Sequence, residues 1–189
     1  MRARIPLILN ETIRIGSFLV TCGRILSDPR RRSMLMILMR HGEAVPFAPR
    51  DEDRPLTPTG QGEATQVGRR LVEAGFAPAA IAHSTRLRAH QTASLVAAVC
   101  VEQPQVVEWS GITPDDHWQQ ALAVLEAGVC DQHLVVFHQP ILAQILGYLL
   151  EGDPNFDVQP RPVPATAYVL DCDHWLPGSA RLLAAYTPE

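Results

Sequence analysis

The chain has no lysine: all sixteen of its basic residues are arginine. A compositional bias explains so uniform a preference, and it does not by itself mark a nucleic-acid surface. The charge is also unevenly spread. Residues 1–33 carry a net +5 and residues 34–189 a net −9. An acidic body excludes the basic stripe that nucleic-acid binding needs. No apolar run reaches the ~20 residues of a membrane span. The longest candidate, 140–150, is interrupted by Gln144, Gly147 and Tyr148 and reads as a buried helix. There is no Cys-x-x-Cys pair among Cys22, Cys100, Cys130 and Cys172, so a zinc knuckle is not indicated. A body of this size does not need disulfides, and reduced thiols in a cytoplasmic protein are the expectation. Glycine-rich phosphate loops and clustered aspartates that would hold magnesium are missing too, as are internal repeats. No cofactor and no metal are therefore expected.

The 189 residues, 47% hydrophobic and 19% charged, are enough for one globular domain with a real core. Residues 1–33 differ from the rest. Arg2 and Arg4 before an apolar stretch imitate a signal peptide, but Asn10 and Glu11 end that stretch early. The arginine-rich, acid-poor character also imitates a transit segment. The favoured reading is a poorly packed N-terminal extension, because Met34 and Met36 open the first convincing strand. The domain is then 34–189.

From Met34 onward, strand and helix patterns alternate. Residues 34–39 form a continuous apolar run, as in a strand covered on both faces. Thr57 followed by Pro58 predicts a capped helix start, with Ala64, Val67, Leu71 and Ala74 at helical spacing and Gly75 as its end. Strands are predicted at 79–83 and 133–138, an extended piece at 106–109, and antiparallel strands at 166–171 and 181–186. Ser84 is expected to cap a helix that buries Ala89, Ala93, Val96 and Cys100. Thr113-Pro114-Asp115-Asp116 is expected to open another, and 140–150 to form the last. This order predicts an α/β three-layer sandwich with a largely parallel central sheet.

Ligands in such sheets bind beyond the carboxyl ends of the strands. Three of those ends carry unusual polar residues: Arg40 and His41, then Ser84 with Arg86 and Arg88 just beyond, then His138. Arginines in the first turn of a helix face its positive end, which is unfavourable unless an anion compensates. A phosphate would do so. A neutral imidazole is a competent nucleophile near neutral pH, arginine forks bind phosphoryl oxygens, and a second imidazole can donate to them in the transition state.

These residues resemble the histidine phosphatase superfamily, which is phosphoglycerate mutase-like in fold, and within it the small SixA-type phosphohistidine phosphatases. Arg40-His41-Gly42-Glu43 is similar to the superfamily's Arg-His-Gly signature. Arg54-Pro55-Leu56-Thr57, the block from Ser84 to Thr92, and Val136-Phe137-His138-Gln139-Pro140 resemble later motifs in the same order. The resemblance implies that His41 is phosphorylated during turnover and that Arg40, Arg88 and His138 complete the phosphate pocket. Arg54 is a further substrate contact or simply a partner of Asp51 or Asp53. Arg86 falls on a variable position. Where an acidic proton donor is usual, the chain has Gly111, which leaves Glu108, Asp115, Asp116 or no acid at all. The implied substrate is phosphohistidine on a protein, the alternatives being a small phosphorylated metabolite or non-catalytic phosphate binding. No nucleic acid or membrane partner is implied.

Overall fold

The computed structural model describes residues 8–15, 18–25, 34–129, 131–172 and 174–189. Near the amino end, β1 (Ile8–Ile15) and β2 (Phe18–Ile25) pair antiparallel with each other, Ile8 opposite Ile25, as a two-stranded sheet of their own. The other residues of the expected N-terminal extension, 1–7, 16–17 and 26–33, lie outside those described.

The body is built on a six-stranded sheet. Its strands are β3 (Met34–Arg40), β4 (Ala80–His83), β5 (Gln105–Glu108), β6 (His133–Phe137), β7 (Ala167–Cys172) and β8 (Ala180–Tyr186). They lie in the order β5-β4-β6-β3-β7-β8, the first four parallel. β7 runs antiparallel to both β3 and β8. The helices α1 (Pro58–Glu73), α2 (Leu87–Val99), α3 (Trp118–Gly128) and α4 (Ile141–Glu151) make the connections. The expected three-layer arrangement is what forms.

The central strands explain their own composition. Met36 and Leu38 pack toward Ala121 and Leu125 of α3 and Ile141 and Ile145 of α4. Ile37 and Met39 pack toward Val67 and Leu71 of α1 and Ala89, Ala93 and Val96 of α2. Alternate side chains thus enter different layers, and because both layers are apolar the strand reads as an unbroken hydrophobic run. Each large side chain so buried stabilises the fold by roughly 1.5–3 kcal/mol. Helix α1 begins as its sequence dictates. Thr57 Oγ1 accepts from the Gly60 N–H at 3.0 Å, and Pro58 occupies the first turn.

Two helix starts differ from expectation. Ser84 does not cap α2; Arg86 holds the cap position with no side-chain cap bond. Helix α3 starts at Trp118 rather than at Pro114. There the Asp116 carboxylate accepts from both the N–H and the hydroxyl of Thr113, at 2.8 and 2.7 Å, and closes a separate turn before the helix. Cys100 and Cys172 are buried thiols, Cys100 donating to the Val96 carbonyl at 3.2 Å; Cys130 lies outside the described residues.

Candidate active site

Parallel register brings the strand ends together. Arg40 at the end of β3 pairs with Phe137 of β6, and His83 of β4 with Val136. The next residue on each strand, His41, His138 and Ser84, therefore leaves the sheet at the same edge. The imidazole centroids of His41 and His138 stand 4.9 Å apart with planes tilted by 49°. His41 is 8% exposed and His138 1%. The backbone around His41 is fixed on both sides: its N–H donates to Phe137 O at 3.1 Å, and its carbonyl accepts from the Ala165 N–H at 3.0 Å.

His41 Nδ1 lies 2.7 Å from the Gly42 carbonyl oxygen. A carbonyl can only accept, so Nδ1 carries the proton and Nε2 keeps its lone pair. Burial, aided by the charges of Arg88, Arg40 and Arg54, lowers the imidazole pKa to about 4, against the pull of the Gly42 hydrogen bond. The ring is neutral at pH 7 and nucleophilic at Nε2. His138 is lowered further, first by burial, then by His41 and by Arg88, Arg86 and Arg40. Its Nε2 lies 2.5 Å from Ser84 Oγ.

The arginines come from three segments and are each tied down at one side. Arg40 Nη1 donates to the Pro162 carbonyl at 2.9 Å. Arg88, on α2, donates through Nη1 to the Asp51 carbonyl at 2.8 Å and through Nη2 to Asp51 Oδ2 at 3.1 Å. Arg54 donates through Nε to the Val45 carbonyl at 2.7 Å and through Nη1 to Asp51 Oδ1 at 3.0 Å. Among the described residues, the buried side-chain polar atoms without a hydrogen-bond partner in the protein include Arg40 Nε, Arg88 Nε and His138 Nδ1. Buried donors left unpaired cost roughly 1–3 kcal/mol each. Unpaired donors on Arg40 and Arg88, whose charges reach both imidazoles, are an arrangement that a tetrahedral anion relieves.

The structure thus gathers His41, His138, Arg40 and Arg88, with Arg54 on the rim. Arg54 does pair with Asp51, and its charge also reaches His41. Arg86 has its guanidinium held by Glu52 and Asp115, and its charge also bears on His138. That accounts for Asp115, while Asp116 is held by Thr113. Gly111 has a φ of +84°, with Val124 Cγ2 only 3.1 Å from where a Cβ would stand. An acidic side chain there would be strained on both counts. Among the described residues no three His, Cys, Asp or Glu side chains are arranged to hold a metal ion, and no helix is long and apolar enough to cross a membrane.

Further residues serve the site. Ser84, picked out at the end of its strand but expected as a helix cap, instead contacts His138. Thr92 Oγ1 accepts from the Gly42 N–H at 3.1 Å, and Gln91 Oε1 from the Leu56 N–H at 2.7 Å, so the Gln-Thr pair of α2 pins both loops that carry the pocket. Gly42 and Gly60 are required by close approach: a Cβ on Gly42 would lie 2.4 Å from Gly60 O, and one on Gly60 would lie 2.0 Å from Glu43 O. The signals for Gln91 and Thr92 were present in the motif, but their partners were not.

Comparison with known proteins points the same way. The family model for histidine phosphatase superfamily (branch 1) matches residues 36–116. No curated protein matches the chain in sequence. Among solved structures, the protein histidine phosphatase SixA complexed with tungstate superposes with a TM-score of 0.70 at 24% identity, covering 82% of this chain and 97% of that one. A protein named for the phosphohistidine phosphatase SixA from Agrobacterium tumefaciens gives 0.70 at 23% identity, covering 82% and 99%. Another so named, from Nakamurella multipartitia, gives 0.67 at 29% identity, covering 82% and 96%.

Proposed function

From its place in the histidine phosphatase superfamily, we propose that this chain hydrolyses phosphohistidine on a protein through a phosphoryl group carried transiently by His41 Nε2. The observation that carries this reading is the buried His41–His138 pair, 4.9 Å apart, within reach of the charges of Arg40 and Arg88.

In the first step the Nε2 lone pair of His41 attacks phosphorus while the P–N bond to the substrate's ring breaks. The leaving imidazole, protonated at its other nitrogen, takes the bonding electrons and departs neutral. It needs little help from an acid, unlike an alkoxide, and this suits a site with Gly111 where an acid is usual. Phosphorylated His41 is then cationic, with Nδ1–H still donating to the Gly42 carbonyl. Water attacks the phosphorus and yields its proton to solvent, phosphate leaves, and the Nε2 lone pair returns. Arg40 and Arg88 hold the phosphoryl oxygens throughout. A proton on His138 Nδ1, favoured when Ser84 donates to Nε2, adds a neutral donor to them.

Among the relatives, the printed names of the SixA proteins are consistent with phosphohistidine as substrate. The test is a rate comparison on a histidine-phosphorylated carrier protein, sugar phosphates and nucleotide monophosphates. The proposal expects multiple turnover and the highest kcat/KM on the carrier. Higher kcat/KM on a metabolite would replace the substrate assignment. Stoichiometric binding without turnover would replace the enzyme assignment.

A further inference from the structure

Asp51 lies in a short 3-10 turn, Asp51–Asp53, on the loop between β3 and α1. Its carboxylate spans two arginines from different elements: Oδ1 accepts from Arg54 Nη1 at 3.0 Å, and Oδ2 from Arg88 Nη2 at 3.1 Å. Its backbone carbonyl takes Arg88 Nη1 at 2.8 Å and also the Arg54 N–H at 3.3 Å. A third arginine, Arg86, has its Nε 4.0 Å from Oδ2. One residue therefore bonds two arginines from different elements and lies near a third.

Two opposite roles are possible for a carboxylate so placed beside an anion site. It could compete with phosphate for the arginines, or it could aim them. We infer that Asp51 is the positioning residue of the phosphate pocket, holding Arg88 and Arg54 by their outer nitrogens so that the remaining N–H groups point inward. The inference rests on the phosphatase reading above.

Three observations favour aiming over competition. Half of the hold on Arg88 comes from a backbone carbonyl, which a bound phosphate cannot displace by moving a side chain. Arg88 Nε, the nitrogen of that guanidinium with no bond to Asp51, is buried and left unpaired. Arg88 is 4% exposed while the Asp51 side chain is 49% exposed, so the carboxylate holds a buried guanidinium from a more solvent-exposed position. Partial burial raises the Asp51 carboxyl, but hydrogen bonds from Arg54 and Arg88 outweigh it and leave the group below its ordinary value. Three like charges this close would otherwise spread apart; a shared carboxylate lets them converge. Long side chains fixed beforehand also lose less entropy when the anion binds.

The two roles predict opposite signs. Removing a negative charge beside an anion site strengthens anion binding if charge alone matters. Removing an aiming group weakens it. The experiment titrates orthovanadate, a tetrahedral oxyanion, against full-length wild type, Asp51→Ala and Asp51→Asn, with thermal melts as a check on folding. Positioning predicts weaker vanadate binding by about tenfold in Asp51→Ala. Asp51→Asn, which keeps one acceptor oxygen and the backbone contact, should recover part of it. Equal or tighter binding by a folded Asp51→Ala overturns the inference and leaves the phosphatase reading standing. Wild type that neither binds vanadate nor hydrolyses phosphohistidine overturns that reading, and the inference with it.

Discussion

The hydroxyl oxygen of Ser84 lies 2.5 Å from Nε2 of His138, across 54 residues of sequence. Both atoms are buried and the contact sits on the parallel pairing of β4 with β6. If the hydroxyl donates, the ring proton of His138 resides on Nδ1, the nitrogen with no protein partner. Ser84→Ala is then expected to lower kcat about tenfold, by releasing the ring to the wrong tautomer and orientation. KM should change little, because the arginines are untouched. Steady-state kinetics on a phosphohistidine carrier protein checks this, and a wild-type kcat would remove Ser84 from the mechanism.

The hydrogen bond from His41 to the Gly42 carbonyl makes a prediction that needs no substrate. With its pKa lowered to about 4, His41 is neutral at about pH 6, where an ordinary histidine is largely charged. Its proton sits on Nδ1. Nitrogen-15 NMR of the ring should show that tautomer unchanged from about pH 8 down to about pH 5. An imidazolium at pH 6, or a proton on Nε2, would mean the nucleophile is not prepared. Orthovanadate should raise this pKa, since an anion in the pocket opposes the three arginine charges that depress it.

Stability should fall with acid across a defined window. His41 and His133 are both held neutral, with pKa lowered to about 4 chiefly by burial, against 6.5 when unfolded. Between those values the unfolded chain binds more protons than the folded one, so stability is lost as pH falls from about 6.5 toward about 4. Each histidine contributes on the order of 2 kcal/mol to that loss by about pH 5. Urea midpoints at pH 7 and pH 5 measure it. His133→Leu should show a smaller drop between the two, whatever its absolute stability; an unchanged drop would exclude His133 as a source.

Gly60 supports the site from a distance. A methyl group there meets the Glu43 carbonyl oxygen at 2.0 Å, backbone against backbone, and something must move. Gly60→Ala is expected to cost about 1–3 kcal/mol in folding stability. It should also displace the Gly42–Glu43 backbone and so the ring of His41, costing more than tenfold in kcat/KM. A variant with wild-type melting temperature and activity would show that the loop yields freely.

The layered fold was legible because β3 and β6 are apolar on both faces, which leaves short continuous apolar runs between the helical patterns. The start of α1 was legible because Thr57 and Pro58 act locally. His41 and His138 could be singled out because they stand at the carboxyl ends of strands, and Arg88 because a cation near a helix start is locally unfavourable. What the sequence did not show depends on register between distant segments. Ser84 has the composition of a cap and is claimed by His138 instead. Asp115 and Asp116 look like favourable charges at a helix start, yet one is drawn to Arg86 and the other closes a turn on Thr113. Asp51 was visible as a neighbour of Arg54 three residues on. Its reach to Arg88, 37 residues away, appears only once the loop is folded over α2.

Whether phosphate passes through His41 can be read directly. Wild type mixed with a phosphorus-32-labelled phosphohistidine protein and quenched within milliseconds into alkaline detergent, which spares the P–N bond, should carry label on His41, at Nε2, in the peptide recovered for mass spectrometry. Label should rise and decay at rates that match turnover, and His41→Ala should neither label nor turn over. Label on another residue, or full turnover by a folded His41→Ala, would contradict the account.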